Sequence, residues 1–395
     1  MTGRFFTALA ATVSLASLGQ PVVASANTSS MTYADEEVRP DRDAIRSGSL
    51  LDYDKADTNA IERELLDAAH DYNLRWGWLP QLKLTYDKTL RPGDTGQAVA
   101  DLRERLGLVG SKFDAELVER IGEYRAAHGL APAPRADEAL FDSLNKGHAY
   151  YMSLIEVNLE RAHQIPADPG ERYILVNTAT QMLTMYEQGK PVDDMRVVVG
   201  KETDPTPMLA GLIDYTVVNP YWNVPPDLTR RNIAPKFLDE GMAYWNRAGF
   251  EALSDWTDEA EVIPAEEIDW KAVAAGDIEL RVRQKPGPGN GMGAIKFMFP
   301  NEYGVYLHDT PSRDLFKEDV RMFSAGCVRL EDAWRLAKWV YGEKPDTSGM
   351  GPETRVDVDK PVPVYISYFT ATPTKDGFAF RDDIYDRDSE LLAMR

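Results

Sequence analysis

Cys327 is the only cysteine in the 395-residue chain. It sits in the turn Ser324-Ala325-Gly326-Cys327-Val328-Arg329. A thiol with no internal partner is either a buried, inert hydrophobe or a nucleophile kept for chemistry. The second role needs a base within hydrogen-bond reach, usually histidine. Of five histidines, His70, His128, His148 and His163 fall in the helical N-terminal half. His308 instead ends a short strand pattern, Val305-Tyr306-Leu307-His308, 19 positions before the thiol. A strand end and a glycine-containing turn can meet across the intervening loop. Tyr306 lies two positions before His308 and so shares its strand face. Asp309 points to the opposite face, which makes a backbone carbonyl the better partner for the imidazole. Ser324 suits a hydrogen bond within the turn. Arg329 could meet a carboxylate bidentately or form a salt bridge with a nearby acid such as Glu331.

The rest of the chain must position these groups. Lys and Arg number 44 against 64 Asp and Glu, a net charge of -20, which repels phosphate backbones and anionic headgroups over most of the surface. Nucleic acid is therefore excluded as a leading partner. Arg4, the apolar run Phe5 to Leu18 and Ala24-Ser25-Ala26 read as an export signal over residues 1–26, cut after Ala26. An uncleaved anchor is the alternative, although the apolar run is short for a membrane span. After cleavage no stable membrane insertion is expected. Residues 27–56 are polar, without periodicity, and read as a linker.

Residues 57–165 carry helical spacing, as in Ile61, Leu65, Leu66, Ala69 and Tyr72, then Val99, Leu102 and Leu106, then Leu117 to His128 and Glu138 to Leu144. A bridging helix follows, ending near Pro166. From residue 166 to about 370 short β-branched or aromatic runs alternate with turns: Tyr173 to Asn177, Met182 to Tyr186, Met195 to Val199, Ile213 to Val218, Ile295 to Phe299 and Val362 to Tyr368. Glu187-Gln188-Gly189-Lys190 reads as a hairpin turn. Residues 219–290 interrupt the strands as an insertion of the kind that caps a site; plain surface decoration is the bland alternative. Trp222 belongs to this cap. Residues 371–395 form a C-terminal tail. The fold class is α+β: a β-rich domain with an inserted cap, plus a small all-helical domain. Gly287 to Gly293 precedes a strand instead of opening a helix, so it is no dinucleotide loop. No His-Glu-x-x-His or paired cysteine exists for zinc, and no metal or other cofactor is expected.

His308, then 15 residues, then Ser324-Ala325-Gly326-Cys327 resembles the signature of the L,D-transpeptidase (YkuD-type) family. Ala325 departs from it, standing where many members carry a second histidine, so the base role falls on His308 alone. Asn219 to Pro226, Arg283 to Asn290, Lys296 to Asn301, Leu307 to Pro311 and Arg381 to Tyr385 are similar to the large, YcbB-like branch. Residues 85–145, with Leu90-Arg91-Pro92-Gly93-Asp94 and Leu102-Arg103-Glu104-Arg105-Leu106, resemble a three-helix peptidoglycan-binding module. The aromatic-Gln pair usual in its second helix is Tyr124-Arg125 here. The resemblance implies a peptidoglycan transferase, exported to the periplasm of a diderm bacterium, that acts on stem peptides. Cys327, deprotonated by His308, would attack the carbonyl before the terminal D-Ala. The resulting acyl-thioenzyme would pass to an amine of a second stem as a 3-3 cross-link between meso-diaminopimelate residues. Backbone N–H groups of Gly326 and Cys327 would hold the oxyanion. Arg329, Ser324, Tyr306 and Trp222 are the candidate substrate-binding residues, and carbapenems the expected thiol-directed inhibitors. The same thiol could serve an L,D-carboxypeptidase or attach protein lysines to the wall; an inactive wall-binding scaffold is the non-enzymatic alternative.

Overall fold

The computed structural model describes residues 58–393; the expected export signal and linker lie outside the described residues. Four helices open this part: α1 (Ala60–Trp76), α2 (Gln97–Arg105), α3 (Ala115–Ala127) and α4 (Glu138–His163). Asn59, Asp114 and Asp137 cap α1, α3 and α4 by accepting from the N–H groups of Glu62, Leu117 and Leu140, which satisfies donors that the first turn leaves open. The stretch read as two helices, Glu138 to Leu144 and the bridging helix, is nearly continuous. Gly147, at φ 79°, kinks it, a backbone angle that only glycine adopts cheaply.

Fifteen strands follow: β1 (Arg172–Asn177), β2 (Met182–Glu187), β3 (Lys190–Gly200), β4 (Leu209–Val218), β5 (Trp222–Val224), β6 (Phe250–Leu253), β7 (Val262–Ile263), β8 (Arg281–Gln284), β9 (Ile295–Met298), β10 (Leu307–His308), β11 (Met322–Ser324), β12 (Val328–Leu330), β13 (Thr354–Ser367), β14 (Ala371–Thr374) and β15 (Gly377–Phe380). The main sheet runs β11-β3-β12-β10-β9-β4-β13-β1-β2, and a further β2–β3 pairing closes it. Closure removes the exposed edges of an open sheet. The predicted hairpin turn is present, with Gln188 and Gly189 at φ 49° and 73° and Glu187 paired to Lys190. Alternation divides each strand between two faces. Ile174, Val176, Phe297, Leu307 and Val328 fill the closed sheet's interior. Tyr173, Leu175, Ala210 and Tyr365 face outward and join the core of the helical unit.

Between β4 and β9, residues 219–294 build the cap: a four-stranded sheet in the order β5-β8-β6-β7 with short helices and its own core around Trp245, Trp270 and Val282. The last predicted strand, Val362 to Tyr368, is the second half of a longer one. Residues Thr354 to Asp357 of β13 pair with β4 as well, before a register break that ends at Val362, but their charged, alternating sequence lacks an apolar run. The hairpin β14–β15 was not anticipated; it carries Phe378 and Phe380 onto Tyr72 and the helical core.

His128 lies at the centre of that contact, 3% exposed. Its Nδ1 donates to the Tyr124 carbonyl at 2.7 Å and its Nε2 accepts from the Tyr72 hydroxyl at 2.8 Å. Both nitrogens are satisfied only in the neutral ring. Burial pushes its pKa down to about 3, below the usual value of about 6.5. The unfolded chain therefore binds the extra proton between these values, so stability is complete above pH ~6.5 and declines as pH falls toward ~3. Chemical denaturation from pH 7 to 4.5 is expected to show this decline. In His128→Gln, less stable overall, proton uptake on unfolding across that window should drop by about one; unchanged uptake would contradict a buried neutral His128.

Candidate active site

The site is built by β10 and β12, which run parallel with Leu307 opposite Val328 and His308 opposite Arg329. The Val328 N–H donates to the Tyr306 carbonyl at 3.0 Å, which carries the register back to Tyr306 and Cys327. Since Leu307 and Val328 point into the core, Tyr306, His308, Cys327 and Arg329 project from the opposite face. Lys296, paired with His308 across β9, flanks the same surface. The parallel pairing needs a long crossover, and residues 309–327 supply it with a short 3-10 turn, Arg313–Lys317, and β11.

His308 is 2% exposed. Its Nδ1 lies 2.6 Å from the Asp309 carbonyl oxygen, the kind of backbone partner expected from the strand geometry. A carbonyl can only accept, so Nδ1 carries the hydrogen and Nε2 keeps its lone pair. Burial first, then the cationic Arg329, hold this imidazole down to about 3, against the pull of the Asp309 and Met292 carbonyls. It is neutral at physiological pH and competent to accept a proton. Cys327 is half-buried, with Sγ 3.9 Å from the Gly304 carbonyl oxygen. Burial pushes the thiol up, while the Tyr306 backbone N–H and Arg329 favour the thiolate. The resting pair is thus neutral thiol and neutral imidazole, with a cation beside both. The Arg329 Nε atom is buried without a hydrogen-bond partner among the described residues. Glu331, the alternative partner, is turned to Arg196 at 3.9 Å. An unpaired guanidinium costs free energy unless an anion reaches it.

The other predicted residues divide. Ser324 is buried, and its Oγ accepts from the Gly326 N–H at 3.2 Å, so its hydroxyl braces the turn. That bond corrects the expected oxyanion pair: the Gly326 N–H is already engaged, whereas the Cys327 N–H has no protein acceptor among the described residues. Gly326 itself sits at φ 105°, a region that favours glycine. Trp222 lines a cap groove of about 500 Å³ with Arg231, Ile233, Lys236, Tyr244 and Phe250; Cys327, His308 and Arg329 are not among its walls. Asp309 faces away from the thiol, accepting from the Ala294 N–H at 2.8 Å and pairing with Arg313. The glycine-rich loop set aside as a nucleotide decoy shapes the site instead. Asn290, 1% exposed, donates to the carbonyls of Pro220 and Lys285, each at 3.0 Å. It also accepts from the Met292 N–H at 2.7 Å, which fixes the residue whose carbonyl faces His308.

Sequence reasoning missed the ion pair of Lys296 with Glu353, 2.8 Å long, which ties β9 beside His308 to the start of β13. A lysine between Ile295 and Phe297 in a buried strand was the available signal. It also missed Thr206, fully buried, whose hydroxyl donates to the Gly326 carbonyl at 2.8 Å; a threonine in a loop carries no such signal.

Alkylation by iodoacetamide reads out the thiol directly. The native protein is expected to show an alkylation midpoint above the ordinary thiol value of about 8.5, and Arg329→Gln a midpoint higher still. A wild-type midpoint below the ordinary value, or one lowered by Arg329→Gln, would contradict the electrostatics described.

Residues 171–366 match the family described as YkuD, the L,D-transpeptidase catalytic domain. A Haemophilus influenzae protein named "Putative L,D-transpeptidase" is 29% identical over 244 residues, 60% of this chain and 48% of that protein; the chain thus matches about half the length of this curated relative. Among solved structures, an L,D-transpeptidase from Mycobacterium smegmatis is similar at 13% identity, covering 50% of this chain and 58% of its own, with a TM-score of 0.25. An L,D-transpeptidase fragment from Xylanimonas cellulosilytica is 14% identical, covering 71% and 98%, with a TM-score of 0.20. With the family match lying on the residues that form the closed sheet, Cys327 and His308 included, the chain carries an L,D-transpeptidase catalytic domain of the YkuD family.

Proposed function

We propose that the protein is an exported, periplasmic peptidoglycan L,D-transpeptidase of a diderm bacterium, forming 3-3 cross-links through a Cys327 acyl-thioenzyme. The observation that carries this reading is the convergence of Cys327, neutral His308 and unpaired Arg329 on one face of β10 and β12. In the first step His308 Nε2 takes the Cys327 proton as Sγ attacks the carbonyl joining meso-diaminopimelate to the terminal D-Ala. The Cys327 N–H donates to the oxyanion of the tetrahedral intermediate. The protonated imidazole then returns its proton to the departing D-Ala amine, leaving a thioester on Cys327. Arg329 offers its guanidinium to a carboxylate of the donor stem, which also satisfies its buried Nε. In the second step neutral His308 accepts a proton from the side-chain amine of another stem as that amine attacks the thioester. Collapse of this intermediate expels Cys327 and leaves the cross-link.

A neutral resting pair suits this order of events, because the thiolate need exist only as substrate closes the site. The cap groove, with aromatic walls beside Arg231 and Lys236, supports a place for the more distant parts of the stem peptides. A solved structure 12% identical to this chain is titled as LD transpeptidase LdtMt1 in complex with imipenem; carbapenem acylation of Cys327 belongs to the same proposal.

Incubation with disaccharide-tetrapeptide, analysed by mass, tests the reading. D-Ala release and a cross-linked dimer are expected, with Cys327→Ala inactive and His308→Gln slowed about 10²–10⁴-fold. Tripeptide without dimer would make water the acceptor and the enzyme a carboxypeptidase. Undiminished turnover by Cys327→Ala would exclude the nucleophile.

A further inference from the structure

Thr206 bridges the end of β3 and the Gly326 turn, just beyond the point where β3 and β11 pair through Gly200 and Ser324. Its Oγ accepts from the Gly200 N–H at 2.9 Å and donates to the Gly326 carbonyl at 2.8 Å, which uses both its donor and an acceptor position. The peptide between Gly326 and Cys327 is planar and trans, so its C=O and N–H point in opposite directions. Fixing the Gly326 carbonyl into the protein therefore fixes the direction of the Cys327 N–H, the donor left open on the site side. The φ of 105° at Gly326 leaves this plane little else to hold it, since glycine tolerates several orientations.

The loop that carries Thr206 is itself held from far along the chain. The Tyr385 hydroxyl donates to the Gly200 carbonyl at 2.6 Å, and the Arg387 guanidinium to the Thr206 carbonyl at 2.9 Å. Arg387 lies over the rings of Tyr385 and Tyr368, at 4.9 and 5.3 Å. The next residue, Asp388, forms an ion pair with Arg161 of α4 at 2.5 Å, both side chains being almost fully buried. Gly200 permits the close approach: a Cβ there would lie 2.1 Å from the Asp204 carbonyl oxygen.

We propose that Thr206 is a positioning residue for acyl transfer, orienting the Cys327 N–H toward the oxyanion, and that Tyr385 and Arg387 hold Thr206 in place. Its kinetic consequence rests on the transpeptidase reading above; its structural consequence does not. The C-terminal segment is then part of the machinery that aims the nucleophile's backbone, anchored on the helical unit through Asp388 and Arg161.

Thr206→Val keeps the shape and removes the hydroxyl. Its crystal structure is expected to show the Gly326–Cys327 peptide plane rotated away from the wild-type orientation, with Thr206→Ser restoring it. In steady-state assays Thr206→Val should lower kcat for D-Ala release about 10–100-fold with KM little changed, part of the loss typical of an oxyanion donor. Iodoacetamide alkylation of Cys327, which forms no oxyanion, should change by less than about twofold. Tyr385→Phe should move kcat in the same direction by a smaller factor. An unrotated peptide plane in Thr206→Val overturns the proposal, as does a kcat loss matched by an equal loss of alkylation. If the wild type releases no D-Ala, the transpeptidase reading fails, and the peptide orientation in Thr206→Val still decides the positioning role.

Discussion

The parallel pairing of β10 with β12 is the constraint on which the site depends. A parallel register places directly paired residues on one face, so seating Leu307 and Val328 in the core obliges His308 and Arg329 to emerge together on the other side. A slip of one residue in either strand would exchange its faces, turning His308 or Arg329 into the core and Leu307 or Val328 out of it. Hydrophobic burial, not any attraction between thiol and imidazole, therefore brings the reactive groups together. Removing a side chain such as Leu307 costs about 2–5 kcal/mol in a core of this kind, more than the net worth of most single hydrogen bonds.

Electrostatics then refine what packing has placed. His308 is nearly dry and close to two cations, Arg329 and Lys296, so protonation is disfavoured and the ring rests as a base. Cys327 rests as a thiol for the same reason, with burial outweighing the help of Arg329 and the Tyr306 N–H. Neither charge is present until a substrate supplies the groups that compensate it. An acidic surface, at a net charge of -20, makes the buried, cationic floor of the site an exception within the molecule.

Much of this was legible in the residues. The β-branched runs located seven of the nine main-sheet strands in whole or part, because burial on one face demands them at period two. Gly189 marked the β2–β3 turn through its positive φ. The common face of Tyr306 and His308 followed from their spacing, as did the turn that delivers Cys327. What escaped has a physical reason in each case. The first half of β13 is charged because one face is exposed, so it shows no apolar run. β11 is three residues long and gains its place from pairing with β3, a partner more than 120 positions distant. Thr206 acts through a single hydroxyl on the Gly326 carbonyl, a partner 120 positions away that tertiary packing alone sets, whereas Ser324 bonds within its own turn, as its place there suggested. The glycine loop 287–293 was legible only as something other than a dinucleotide loop, because its part in the site is to fold around Asn290 and present a carbonyl, which no side-chain pattern records.

The central claim is that Cys327 carries the acyl group between donor and acceptor. Intact-mass analysis of the protein quenched in acid during turnover of disaccharide-tetrapeptide tests it most directly. A transient adduct of the donor stem lacking its terminal D-Ala, mapped by peptide digestion to Cys327, is the result expected. D-Ala release at the full rate with no adduct on that sulfur, or with the adduct on another residue, would contradict it.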